Sequence, residues 1–164
     1  MPQIAFPKGL KRAAAMVVLR YEDQFLLLKR AKPPFVGHYL PVGGKLEPHE
    51  DPHSAAVREL REETGMTVEK LQYGGVLIET SPTEYNWQSS IYLADIPWQT
   101  PPECPEGELE WVPFAQLAQV PTPPTDGQIY QYLVEQRPFA FNAVYDEALN
   151  LLYMVEEIQG IRVL

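Results

Sequence analysis

The sequence predicts an α+β chain in which a mixed β-sheet is sandwiched between α-helices, an α/β/α arrangement. Short apolar runs of strand length recur along most of the chain, and two segments carry helical periodicity with cap signals. Their order is neither a regular strand–helix alternation nor an all-strand meander. With 164 residues, 45% of them hydrophobic, the chain is long enough to bury one sizeable core, so residues 1–164 are read as a single domain.

The elements follow in order. AAAMVVLR (13–20) and FLLLK (25–29) are apolar runs joined by the polar Tyr21, Glu22, Asp23 and Gln24, which reads as a hairpin. A prolyl connection at Lys32, Pro33 and Pro34 leads into GHYLPVGG, a short strand expected to end in a tight turn at Gly43 and Gly44. Residues 52–64 read as a helix: Asp51 is a good N-cap, Pro52 suits the first helical position and Gly65 the stop, with Ala56, Val57 and Leu60 facing inward. Strands are expected at about 71–79 and 87–96, then a Pro- and Glu-rich loop over 97–108 and a strand at Leu109–Val112. A second helix is expected from about Thr125 to Gln136, with Ile129, Tyr132 and Leu133 at helical spacing. FAFNAVY and LNLLYMVEE, around a turn at Asp146 and Glu147, suggest an added hairpin.

Charge and composition narrow the function classes. The net charge of −9, with no basic stripe to offset it, argues against nucleic-acid polymers and acidic membranes as partners. No stretch has the ~18 to 20 consecutive apolar residues of a membrane span, and MPQIAFPKGLKR lacks the apolar core of a signal peptide, so a soluble cytoplasmic protein is expected. Cys104 is the only cysteine, which rules out an intrachain disulfide. An acidic protein can still act on phosphates, provided a cation or a few local basic groups overcome the repulsion.

The chemistry concentrates in residues 43–66, GGKLEPHEDPHSAAVRELREETGM. Glu59, Glu62 and Glu63 fall within one helical turn, where spacings of three and four bring carboxylates to one side. Clustered like charges cost stability unless a cation compensates them. Ligands that are all oxygens point to a hard ion, Mg²⁺ or Mn²⁺. Arg58 stands four before Glu62 and can hold that carboxylate in place. A solvated acidic helix face is the plain alternative for three glutamates alone, but the wider spacing tells against it. From Gly44 the segment fits G-x5-E-x7-R-E-U-x-E-E-x-G-U, with U a bulky aliphatic, through Glu50, Arg58, Glu59, Leu60, Glu62, Glu63, Gly65 and Met66. A chance match at a given start is rarer than roughly one in a hundred million at average residue frequencies.

This pattern is the Nudix box, and the sequence resembles the Nudix hydrolase family, of which MutT is a member, throughout the motif. Met66 replaces the usual Ile, Leu or Val, and His49 a common glycine, neither at a metal-binding position. The resemblance implies the Nudix fold across nearly the whole chain. It also implies that Glu59, Glu62 and Glu63 ligate Mg²⁺ or Mn²⁺, that Glu50 supports loop and helix, that Arg58 orients a glutamate, and that Glu47 reaches the metal through water. The implied reaction is attack of a metal-activated water on one phosphorus of a nucleoside diphosphate derivative. Members differ in the group that takes the water proton, and the later loop offers Glu103, Glu106, Glu108 and Glu110.

Gly43 and Gly44 are expected to let backbone approach both the helix and the ligand, and Lys45, Arg20, Lys29 and Arg30 to supply positive partners for phosphate. At least one of the four cations should face the metal cleft. Tyr39, Tyr85, Trp87 and Trp111 are candidates to stack on a base, although an aromatic in a strand is more often core. His38, His49 and His53 share no metal spacing and read as surface residues. The attached group is left open by the box. A MutT-type nucleoside triphosphate pyrophosphatase, with 8-oxo-dGTP as a candidate substrate, fits the compact length and the run GHYLPVGGK. An ADP-ribose or nucleotide-sugar pyrophosphatase is favoured by Pro82, sixteen positions after Met66. A nucleotide-sensing module without catalysis is the rival of another class, disfavoured because every box glutamate is present. The apolar C-terminal segment is suited to a homodimer.

Overall fold

The computed structural model describes residues 7–164; the first half of MPQIAFPKGLKR, read above for the lack of a leader, lies outside the described residues. β1 (Arg12–Tyr21) and β2 (Gln24–Arg30) form the expected hairpin around Glu22, whose φ is 49°. The two strands pair only at their turn end, Leu19 with Leu26 through Tyr21 with Gln24. Beyond that they part, and two short strands enter the gap. β3 (Tyr39–Leu40) pairs with β2, and β4 (Val42–Lys45) pairs with β1 from Val17↔Val42 to Ala14↔Lys45.

Gly43 and Gly44 therefore sit in a strand, not in the tight turn expected from their pairing in the sequence. The reason for glycine is close approach. A Cβ on Gly43 would collide with the Ala15 carbonyl oxygen and Met16, and one on Gly44 would lie 2.7 Å from Glu59 Oε1.

Helix α1 (Pro52–Thr64) starts and stops as its cap signals predict. Asp51 accepts from the Ser54 N–H at 2.9 Å, and Gly65 closes the helix at φ 74°. β5 (Gln72–Thr80) and β6 (Trp87–Asp95) follow as an antiparallel pair. β6 then lies parallel to β1 along nine register pairs, Arg12↔Trp87 to Arg20↔Asp95. The loop expected over 97–108 contains a small hairpin instead: β7 (Glu103–Cys104) pairs with β8 (Gly107–Pro113), which runs along β2. After a single 3₁₀ turn at Phe114–Gln116 comes α2 (Pro124–Val134), shorter at its end than expected. β9 (Phe139–Tyr145) and β10 (Leu151–Glu156) form the added hairpin, and β11 (Ile161–Arg162) completes the sheet. β9 joins the sheet parallel to β5.

The sheet order is β11-β10-β9-β5-β6-β1-β2-β8-β7, mixed through the parallel pairs β1–β6 and β5–β9. Alternation along β1 feeds both faces. Ala15, Val17 and Leu19 meet Ala55, Ala56 and Leu60 of α1, whereas Val18 shares the opposite core with Ile129, Tyr130 and Leu133 of α2. That is the α/β/α sandwich the sequence predicts. Among the described residues, no helix is long and apolar enough to cross a membrane.

Leu60, 1% exposed, is the largest side chain that α1 buries against the sheet. Leu60→Ala is expected to lower unfolding free energy by about 2 to 5 kcal/mol through lost transfer energy and a residual cavity. Denaturant titration of both proteins measures it, and a loss under ~1 kcal/mol would show that this contact does not anchor the helix.

Candidate active site

Arg58 organises the glutamates of α1. Its Nε donates to Glu50 Oε2 at 2.8 Å and its Nη2 to Glu50 Oε1 at 2.9 Å, a two-pronged grip. Nη2 also donates to the Lys45 carbonyl at 3.0 Å, tying the helix to β4. Nη1 is shared between Glu59 Oε1 at 2.9 Å and Glu62 Oε2 at 3.1 Å. Glu47 approaches Nε at 3.7 Å, and its backbone N–H donates to Glu50 Oε1. The Arg58 guanidinium, first among the causes, holds the Glu50 carboxyl below the ordinary carboxylate range.

Glu59 and Glu63, four residues apart, face one cleft of about 490 Å³, bounded on the strand side by Gly43, Gly44 and Lys45. Burial, reinforced by the charge of Glu59, pushes the Glu63 carboxyl up to about 8. Glu63 Oε2 is buried without a hydrogen-bond partner. A buried carboxyl with an unsatisfied oxygen beside a second carboxyl fits a hard divalent cation, which would supply the missing partner and favour the ionised form. Among the described residues, no three His, Cys, Asp or Glu side chains converge as a metal cage. The reason lies with Glu62: its side chain is 56% exposed and turned to Arg58, and it does not line the cleft. The expectation that all three carboxylates converge is thus met by Glu59 and Glu63 and not by Glu62.

The four cations divide. Arg30 and Lys45 line the cleft, Arg30 in an ion pair with Glu106 at 3.2 Å and Lys45 with its ammonium 5.8 Å from the Trp87 ring centre. Arg20 and Lys29 correct the expectation. Arg20 stands at the far end of β1, bound through two nitrogens to Asp95 at 2.7 and 3.1 Å. Lys29 alternates with Leu28 and Arg30 along β2, so the pleat sends it to the other face, 6.0 Å from the Tyr39 ring centre. Of the later-loop glutamates, only Glu106 lines the cleft; Glu110 accepts from the Tyr39 hydroxyl, whose pKa rises to about 12 in response.

Tyr85 and Trp87 reach the cleft, whereas Tyr39 is core and Trp111 donates to the Gln99 carbonyl. The imidazoles of His38, His49 and His53 are not among the cleft-lining groups. Sequence reasoning missed Glu79 and Asp126. Asp126 lines a second chamber of about 420 Å³, and Glu79 lies where that chamber meets the first, lining both together with Met16, Arg30, Tyr85 and Trp87. Burial pushes Glu79 up, and burial with the Glu79 charge raises Asp126 to about 8. A glutamate on the buried side of the apolar run GGVLIE was the available signal.

A mixed sheet with a glutamate-bearing helix laid against a glycine strand is the arrangement of the Nudix hydrolases. The chain belongs to that family: residues 9–133 match the NUDIX domain. It is 30% identical over 123 residues to an uncharacterized Nudix hydrolase, YvcI, of Bacillus subtilis (strain 168), covering 72% of this chain and 76% of that one. It is 28% identical over 147 residues to an oxidized purine nucleoside triphosphate hydrolase of Mus musculus, covering 88% and 94%. The crystal structure of a MutT protein from Bacillus halodurans superposes with a TM-score of 0.76 over 90% of this chain and 98% of that one; its 24% identity makes this a likeness of fold. The chain is a pyrophosphohydrolase of a family that generally uses divalent metals.

A carboxyl whose pKa is higher in the folded chain binds more protons there. Its contribution to stability is full below the unfolded value near 4.5 and is lost as pH rises towards 8. With divalent ions chelated, the melting temperature of the wild type is expected to fall over this window more than that of Glu63→Gln. Parallel melting curves of the two proteins would contradict the burial of charge at Glu63.

Proposed function

We propose that the chain acts as a single domain that hydrolyses nucleoside triphosphates to the monophosphate and pyrophosphate, with oxidised purine nucleotides such as 8-oxo-dGTP among its candidate substrates. The observation that carries this reading is the cleft itself, where the paired carboxylates of Glu59 and Glu63 face Arg30 and Lys45 and open into a chamber walled by Tyr85 and Trp87. Glu59 and Glu63, joined by Glu62 once it leaves Arg58, would hold Mg²⁺ or Mn²⁺. When bound, the ion neutralises phosphate charge and lowers the pKa of water.

The chain's own groups do the remaining work. Lys45 and Arg30 offset the negative charge that the triphosphate brings to an acidic protein. The absence of side chains at Gly43 and Gly44 lets backbone lie against the phosphates. Arg58 and Glu50 fix α1 and β4 relative to each other, which keeps the Glu59 and Glu63 carboxylates in place beside the glycine strand. Glu106 is the later-loop carboxylate beside the cleft and the candidate acceptor for the proton of the attacking water. The similarity to the mouse oxidized purine nucleoside triphosphate hydrolase over 88% of the chain supports a triphosphate.

Magnesium-dependent release of pyrophosphate from nucleoside triphosphates, in preference to cleavage of ADP-ribose or sugar nucleotides, is the expected result of a substrate panel. Glu63→Gln keeps size and a carbonyl oxygen but loses the charge a hard cation needs, so kcat should fall roughly a hundredfold to a thousandfold. A variant that keeps more than about a third of wild-type turnover at saturating Mg²⁺ would refute the role of Glu63.

A further inference from the structure

Several hollows of this acidic chain are lined by carboxylates: Asp126 in the far chamber, Glu103 and Glu108 beside the β7–β8 hairpin, Glu69 and Asp95 after α1. A pocket of about 150 Å³ at the other end of α2 and β5 differs from them. Its described lining carries two guanidiniums, Arg20 and Arg137, and no carboxylate. Two arginines converging on one hollow, in a chain of net charge −9, favour an anion there.

Arg20 enters from the end of β1 and Arg137 from the turn after α2. Between them lies a bulge in β5, where Tyr73 pairs with Tyr92 and Gly75 with Ile91, and Gly74 is the extra residue. A Cβ on Gly74 would lie 2.8 Å from the Leu133 δ-methyl carbon, so the bulge rests directly on the pocket floor. That floor is apolar, formed by the buried Leu93, Tyr132 and Leu133, and an apolar floor strengthens hydrogen bonds made above it. The closing carbonyls of α2 are already taken: Arg137 N–H donates to the Tyr132 carbonyl at 2.9 Å and Gln136 N–H to the Leu133 carbonyl at 3.2 Å. The negative end of the helix is thereby blunted.

Each arginine is held without being used up. Of its five N–H donors Arg20 gives two to Asp95, and Arg137 gives one to Glu135 and one to Gln159, which leaves three on each without a partner among the described residues. The Arg137 guanidinium also lies 4.4 Å from the Tyr132 ring centre, which steadies its plane. Asp95 and Glu135 have side chains 68% and 40% exposed and stand outside the lining, so water screens their charge from the pocket. The remaining donors exceed what the two oxygens of a carboxylate can accept and suit the three or four oxygens of a phosphoryl group. We infer that Arg20 and Arg137 form a second anion site, apart from the catalytic cleft, that takes the phosphoryl group of a small ligand, either the free ion or a monoester.

Nuclear magnetic resonance titration of the whole chain with inorganic phosphate, methyl phosphate and acetate, divalent ions chelated, tests the site. Saturable shifts of the Gly74 amide and of the Arg20 and Arg137 Nε–H signals are expected with at least one of the two phosphates, at concentrations about tenfold below those acetate requires. The amides of Gly43 and Gly44 report the catalytic cleft separately, so an anion bound there is told apart. Tighter binding of inorganic phosphate identifies the free ion as the ligand, and tighter binding of methyl phosphate a monoester. Arg137→Gln should weaken phosphate about tenfold or more, and Arg137→Lys by less, because lysine keeps the charge without the fork. Arg20→Gln, on the opposite wall, should weaken it to a similar degree while α2 and its contacts stay as they are. Shifts at Gly74 that never saturate, acetate bound as tightly as phosphate, or an affinity within twofold of the wild type in both glutamine variants would overturn the inference.

Discussion

Arg58 donates to two oxygens of Glu50, to Glu59, to Glu62 and to the Lys45 carbonyl, and the geometry of the whole site depends on that one guanidinium. Glycine strand, loop and helix follow one another in the chain over residues 42–64, and each brings charge or exposed backbone that resists being packed with the others. A rigid fork with five N–H donors joins all three, which a lysine ammonium, with three donors and no fixed plane, cannot reproduce. The surrounding carboxylates raise the guanidinium pKa well above its ordinary value, so it stays charged throughout the range in which the protein is folded.

The cleft has its origin in the sheet. β1 and β2 separate after three register pairs, and β3 and β4 fill the opening. Had the hairpin continued, β4 would have no place beside β1 and the helix would have no glycine strand to lie against. Both cores constrain this split: Leu19 and Leu26 hold the closed end from the α1 side, Phe25 and Val18 from the α2 side. Fold stability and site geometry are therefore coupled at the point where the two strands part.

Much of this was legible in the sequence. The α1 boundaries followed from Asp51, Pro52 and Gly65 because capping is a local interaction between neighbours in the chain. The hairpin of β1 and β2 followed from its alternating apolar runs. The close approach of Gly43 and Gly44 to the helix was legible, but their conformation was misread as a turn, since the strand they form depends on pairing with Ala15 and Met16, nearly 30 positions away. Arg20 was misjudged for the same reason: Asp95 meets it only once β1 and β6 align in parallel. The hold of Arg58 on Glu62 followed from their i,i+4 spacing, but the spacing does not say that this hold turns Glu62 away from the cleft that Glu59 and Glu63 line. Glu79 and Asp126 stayed hidden because β5 and α2, which carry them, are far apart in the chain and meet at the chamber only once the sheet is assembled.

Tyr145 has a consequence for how this protein can diversify. It lies beyond residues 9–133, the part that matches the NUDIX domain, on a hairpin that joins the sheet beside β5. The glutamate-bearing helix and this part of the chamber wall, Tyr145, Leu149 and Leu151, are thus carried on different stretches of chain. Mutations drifting through the turn at Asp146–Leu149 can reshape what the chamber admits while the network around Arg58 goes unperturbed. Selection can then retune the diet of the enzyme without reinventing its chemistry.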